Sequence, residues 1–307
     1  MRRLSIAVAA GLTAAFAVAT PAASAPAPFW TPAIPRVLLP TTAAQPSRSS
    51  DLAPTTGTAA VRAPKRRAPV VELRAGFSAG ARLGRETALS ISIGVDPRRV
   101  HATLNDVRLL TPANLDITMS ALGVSTCRRP PTDFARVKIG NETFVSCPGN
   151  AALGNGTSDA ELRFAREEAV AGAGRLSLFN GAPRDGRPGL VVLVATQHPL
   201  VTQLVYGGYL YTAPRPYGLG MRIMIPPMVD PPFDATVAMT RLRMTIGGDD
   251  LAYTRRERGH QIRYAPGGIP LPDRCPRGGF PFRAILRFDD GSRRTAETTV
   301  RCPPRAG

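Results

Sequence analysis

From Phe280 the chain alternates. Phe280, Phe282, Ala284, Leu286 and Phe288 are apolar, with Arg283 and Arg287 between them. A period of two puts the apolar side chains on one face of a strand and the arginines on the other. Asp290-Gly291 then predicts a turn, and a Thr-rich return strand runs to Cys302. Matching apolar positions sets Phe280 opposite Cys302, Phe282 opposite Val300, Ala284 opposite Thr298 and Leu286 opposite Ala296, about a loop Asp290-Gly-Ser292. A one-residue slip would turn polar side chains to the buried face.

The preceding chain repeats this construction. Strands are predicted at Val70–Arg74, Leu89–Val95, Val107–Leu110, Leu115–Met119 and Ala160–Phe164, with Asp96-Pro97 and Thr111–Asn114 as breaks. A hairpin about Gly140-Asn141 is expected between Cys127 and Cys147. Arg175–Phe179 should end in a turn at Asn180-Gly181, followed by a second turn signal at Asp185-Gly186. Leu190–Ala195 is apolar at every position, which predicts a strand covered on both faces. Leu204–Thr212, Gly220–Ile225, Ala235–Ile246 and Gln261–Tyr264 complete the set, and only Asp159–Ala171 offers room for a helical turn or two. The fold class that follows is all-β: an antiparallel β-sandwich or barrel-like arrangement over residues 70–307, as one large domain or two smaller ones divided near 165–175.

The N-terminal part differs. Met1-Arg-Arg, an apolar run from Leu4 to Val18 and the Ala23-Ser-Ala25 end match a secretory signal peptide over 1–25, too short for a membrane span. Residues 26–69, rich in Pro, Ala, Thr and Ser and without apolar periodicity, read as a disordered basic linker. No later run is long and apolar enough to span, so the expected localisation is secreted, extracellular or cell-surface. Four cysteines, Cys127, Cys147, Cys275 and Cys302, suit such a compartment. Three pairings are open; the local ones, Cys127–Cys147 and Cys275–Cys302, are favoured because each clamps one excursion, worth roughly 3 kcal/mol by loop entropy. A bend at Gly278-Gly279 would let Cys275 return to Cys302. With no Cys-x-x-Cys or Cys-x-x-His spacing, no zinc site is expected.

The net charge of +17 changes the picture less than its size suggests, because Lys65 and Lys138 are the only lysines among 39 basic residues. That bias, with abundant Ala, Gly and Pro, is what a GC-rich coding sequence writes. Dispersed arginines protect strand edges, and the expected partners are anionic envelope polymers or glycans rather than a specific nucleic acid. No His-Glu-x-x-His occurs. His101, His198 and His260 are isolated, and a triad from His198 or His260 with Asp249 or Asp250 would have to assemble in space. Asp249-Asp250 and Asp289-Asp290 read as turn carboxylates, so no catalytic, cofactor or metal residue is assigned. Asn141-Glu-Thr and Asn155-Gly-Thr match the glycosylation triplet by coincidence. Tyr206, Tyr209 and Tyr211 offer an aromatic platform for a sugar, against the plainer reading of tyrosines seated on a core. Arg255-Arg-Glu-Arg258 reads as an exposed loop.

The combination Pro112–Ile117, Cys127, Cys147-Pro with Gly154-x-Gly156, and Cys275-Pro-Arg-Gly-Gly-Phe-Pro-Phe with Asp-Gly-Ser and Cys302-Pro resembles uncharacterised exported β-rich proteins of high-GC soil actinobacteria, over about residues 70–304. The resemblance implies compartment, cysteine pairing and fold, and carries no activity. The sequence therefore points to a secreted or cell-surface, non-enzymatic binding or structural protein. The alternative is an exported hydrolase whose site is drawn from distant residues.

Overall fold

In a computed structural model, residues 69–115, 117, 120–128, 147–163, 169–198, 202–225 and 236–305 are described. The expected signal peptide, nearly all of the expected 26–69 linker and the expected hairpin at Gly140-Asn141 lie outside them. Among the described residues fifteen strands follow in order: β1 (Val71–Phe77), β2 (Glu86–Thr87), β3 (Leu89–Val95), β4 (Leu104–Pro112), β5 (Ala152–Arg163), β6 (Val170–Arg184), β7 (Arg187–His198) and β8 (Thr202–Thr212). Then come β9 (Tyr217–Met224), β10 (Thr236–Ile246), β11 (Tyr253–Glu257), β12 (His260–Tyr264), β13 (Ile269–Pro270), β14 (Phe280–Phe288) and β15 (Arg293–Val300). Among the described residues no helix is long and apolar enough to cross a membrane.

The chain is all-β and antiparallel, as the alternation predicts. Eleven strands make one sheet in the order β1-β3-β10-β5-β6-β7-β8-β9-β4-β14-β15. The sheet coils until its edge strands, β1 and β15, lie side by side. The Phe77 ring meets Phe280 edge-on across that seam, centroids 5.1 Å apart, and Leu83 donates its N–H to the Pro304 carbonyl at 2.9 Å. The layers of the fold are thus opposite walls of one strongly coiled sheet, and inward residues from both walls share a core. β5 and β6, which precede and follow residues 164–168, pair with each other in the one sheet.

Every second residue of the long strands enters that core. On β7, Leu190, Val192 and Val194 face it, while Val191 and Leu193 lie beneath Cys127 and Ala151 on the outer side. Both faces are therefore covered, as uniform apolarity predicts. The disulfides are Cys127–Cys147 and Cys275–Cys302, Cα atoms 5.0 and 5.9 Å apart. The second is reached through a turn in which Gly278 and Gly279 both take positive φ (86° and 97°) and Gly279 donates to the Pro276 carbonyl at 3.0 Å.

Four expectations change. The last hairpin is two residues out of the apolar-match register: Phe280 faces Val300, Phe282 faces Thr298 and Ala284 faces Ala296. Its loop is Asp289-Asp290-Gly291, closed by Phe288 donating to Ser292 O (3.0 Å) and Gly291 to Phe288 O (3.1 Å). A two-residue slip preserves which side chains face inward, so burial could not choose between the registers; the positive φ of Gly291 (77°) settles the loop. Asn180-Gly181 is no turn, because β6 continues to Arg184 and the reversal falls at Asp185-Gly186, φ 50° and 71°. The Asn180 amide instead donates to Gly123 O (2.8 Å) and Ser125 O (3.0 Å), binding the cysteine loop to the sheet. Leu115 and Ile117 belong to no strand and plug one end of the sheet as buried residues. Ala160–Arg163 is strand as expected, and residues 164–168 of the segment with room for a helical turn lie outside the described ones. Arg255–Glu257 lies in the exposed β11–β12 hairpin, not a loop.

Candidate functional site

The coiled sheet has two unequal ends. At the end where β1 finishes and β3 starts, Leu115, Ile117, Leu122, Leu251, Tyr253, Ile269 and Leu271 pack into the core. At the other end, where β3, β5 and β7 finish, the inward positions of β5 and β6 become small: Ser158, Ala160, Gly172 and Gly174. Facing walls present Ile91, Ile93, Val192, Leu204, Met221 and Ile223, which do not extend far enough to fill the gap. The result is a cavity of ≈ 180 Å³ whose lining, among the described residues, is nearly wholly apolar. Its origin is local: on β6, Leu176 and Leu178 fill the barrel, and two steps further along the same face only hydrogens remain.

One polar group in the cavity stands out. Tyr206 lines it, and burial alone pushes its phenol far above the ordinary tyrosine value. No described residue hydrogen-bonds its hydroxyl. Its side chain nevertheless keeps accessible surface, which the cavity accounts for. The unpartnered hydroxyl is therefore accessible rather than sealed in the core.

The three tyrosines do not form one platform. Strand alternation sends Tyr206 inward and Tyr209 and Tyr211 to the outer face, where their rings meet edge-on at 6.1 Å. Tyr209 accepts a hydrogen bond from Arg222 Nη1 at 3.0 Å, which lowers its phenol below the usual value.

Among the described residues neither His101 nor His260 forms an ion pair with a carboxylate. His101 Nδ1 contacts the Arg163 guanidinium, which itself bonds Glu161 Oε2 at 2.9 Å. His260 is exposed on β12, opposite Glu257 in the ladder. His198 ends β7 at the hollow end, whereas Asp249 and Asp250 follow β10 at the plugged end, so that triad does not assemble. Asp250 instead accepts from the Asn155 amide at 3.0 Å. Asp289 Oδ1 takes the Thr103 N–H (3.1 Å) and Asp290 Oδ1 the Ser292 N–H (2.8 Å), both as turn carboxylates. Among the described residues no three of His, Cys, Asp and Glu gather as a metal site would require.

Neither Ala160, Gly172 and Gly174 nor the inward face of Tyr206 was singled out by motif. Consecutive small residues at inward positions of adjacent strands are the signal that could have marked the cavity. No family model, curated protein or solved structure matches this chain.

Proposed function

We propose that the protein is an exported, non-enzymatic binding protein that encloses a small apolar ligand bearing one polar group. The observation that carries the reading is the ≈ 180 Å³ apolar cavity with the unpartnered Tyr206 hydroxyl in its wall. A dry cavity of about 150 Å³ accepts benzene or xenon, which sets the scale of the guest. Tyr206 adds a hydrogen bond to one oxygen or nitrogen of that guest.

The test uses benzene and phenol in thermal unfolding, with xenon as an NMR probe of the cavity. Both organic probes should raise the melting temperature by several degrees at about one hundred times Kd. Phenol should bind more tightly than benzene, and Tyr206→Phe should remove that preference. Ala160→Leu, which fills the space, should raise the melting temperature and abolish binding. No shift with either compound and no xenon-perturbed resonances in the native protein would overturn the reading.

Export is proposed from the leader pattern and the two disulfides, and mass spectrometry of culture supernatant tests it: an intact Met1 confined to the cell interior would reject it. Anionic envelope polymers or glycans are proposed as outer-surface partners on the strength of the arginine excess.

A further inference from the structure

On the outer face, Arg108 of β4 stands directly opposite Arg222 of β9, and Arg222 directly opposite Tyr209 of β8. Like charges in direct cross-strand register destabilise a sheet. Here one carboxylate holds both: Asp106, almost wholly buried, accepts from Arg108 Nε at 2.9 Å and from Arg222 Nε through its other oxygen. Arg187 of β7 adds a third guanidinium, 4.9 Å from the Tyr209 ring centroid, with Arg222 at 5.9 Å. Two cations therefore share one anion, and a third stands over the neighbouring Tyr209 ring.

The bonding pattern leaves donors free in a particular direction. Both arginines of the pair spend Nε on Asp106, and Arg222 spends Nη1 on Tyr209. Both Nη groups of Arg108, Nη2 of Arg222 and the whole guanidinium of Arg187 have no hydrogen-bond partner among the described residues. Arg108 and Arg222 are only about 30% exposed, at 28% and 30%, so these donors are held in place rather than loose in solvent. They border a pocket of ≈ 500 Å³ whose remaining wall includes Tyr209, Tyr211 and Thr212. That is far more room than a bare oxyanion needs. The Tyr211 ring is itself fixed, since it covers the place where Gly220 lacks a side chain.

We infer that this pocket binds an oxyanion carried on a sugar-sized ring, a sugar phosphate or a uronic acid. Arg108, Arg187 and Arg222 take the oxyanion, and Tyr209 and Tyr211 face the ring. Planar guanidiniums with paired N–H groups match carboxylate and phosphate oxygens. The inference rests on the charge-based reading of anionic partners only for the polymer that would supply such a unit, and it is independent of the apolar guest.

Calorimetric titration of the full chain with glucuronate, glucose 6-phosphate, glucose and inorganic phosphate tests it. Either sugar acid should bind at least tenfold more tightly than glucose and than phosphate, and the stronger of the two identifies the anion. Arg108→Gln and Arg187→Ala should each weaken binding about tenfold or more. Arg187→Ala leaves the Asp106 bonds intact, and unchanged melting temperature confirms that it folds. Binding of phosphate equal to that of the sugar acids, no binding at millimolar concentration, or binding that persists in both variants would overturn the inference. Retention on a heparin column, which reads the dispersed arginines, is measured in parallel. Loss of that retention alone would count against polymer partners and leave the pocket standing.

Discussion

The Tyr253 hydroxyl accepts the backbone N–H of Gly123 at 2.7 Å and donates to the carbonyl of Ala152. It ties the loop that precedes Cys127 to the first residue of β5 inside the plugged end of the barrel. Tyr253 is fully buried, and its ring meets Tyr264 edge-on at 5.8 Å. Tyr253→Phe keeps that packing and strands two backbone groups. The expected loss is about 1–3 kcal/mol, read as a lower denaturation midpoint at unchanged m. A change below 0.5 kcal/mol would mean that water replaces both bonds.

Gly156 pairs with Met244 across the β5–β10 ladder, and a Cβ there would sit 2.0 Å from the Arg243 carbonyl oxygen. Gly156→Ala has to push two strand backbones apart, costing about 1–3 kcal/mol or more. Gly76 on β1 has open space at the same point, so Gly76→Ala should stay within about 0.5 kcal/mol. Equal effects at the two sites would show that β10 does not pack so closely on β5.

The disulfides close loops of similar span, 20 and 27 residues, and loop entropy assigns each roughly 3 kcal/mol. They differ in what they cover. Cys127 is buried on Val191 and Leu193, while Cys302 is exposed. Replacing Cys127 and Cys147 by alanine should therefore cost more than replacing Cys275 and Cys302, by the packing lost on β7. Chemical denaturation of the two double variants gives the order directly.

The phenols should separate in a spectrophotometric titration. The hydrogen bond from Arg222 lowers Tyr209, whereas burial raises Tyr206, Tyr211, Tyr217 and Tyr253. Tyr209 should ionise ahead of those four, and Tyr209→Phe should remove the earliest phase. For Tyr206 the folded value lies above the unfolded value of about 10. Its contribution is complete below about pH 10 and is lost as pH rises through the folded value, since the unfolded chain releases its proton first. Tyr206→Phe should make the alkaline decline in stability shallower; an unchanged decline would place Tyr206 in contact with water.

Much of this fold was legible along the chain. Alternation located β3 to the residue, and it marked β7 as covered on both sides, because the period of a strand and the polarity of each position are local properties. The short excursions between cysteines suggested the disulfide pairs that form. Tertiary structure alone decided the rest. Nothing local places β10 between β3 and β5, since strand neighbours are chosen by which edges remain free once hairpins have formed. A slip of two residues leaves the buried set unchanged, so the register of Phe280 was open until the Asp289–Gly291 loop closed. Asn180-Gly181 has the chemistry of a turn, but the ladder to β7 and the Asn180 bonds to Gly123 and Ser125 outweigh it. The cavity exists because small residues on β5 and β6 face walls that do not reach them, a mismatch of volumes across the barrel. Arg108 and Arg222 became one site only when β4 and β9 paired in register and Asp106 was buried between them, and charge in a sequence carries no such distance.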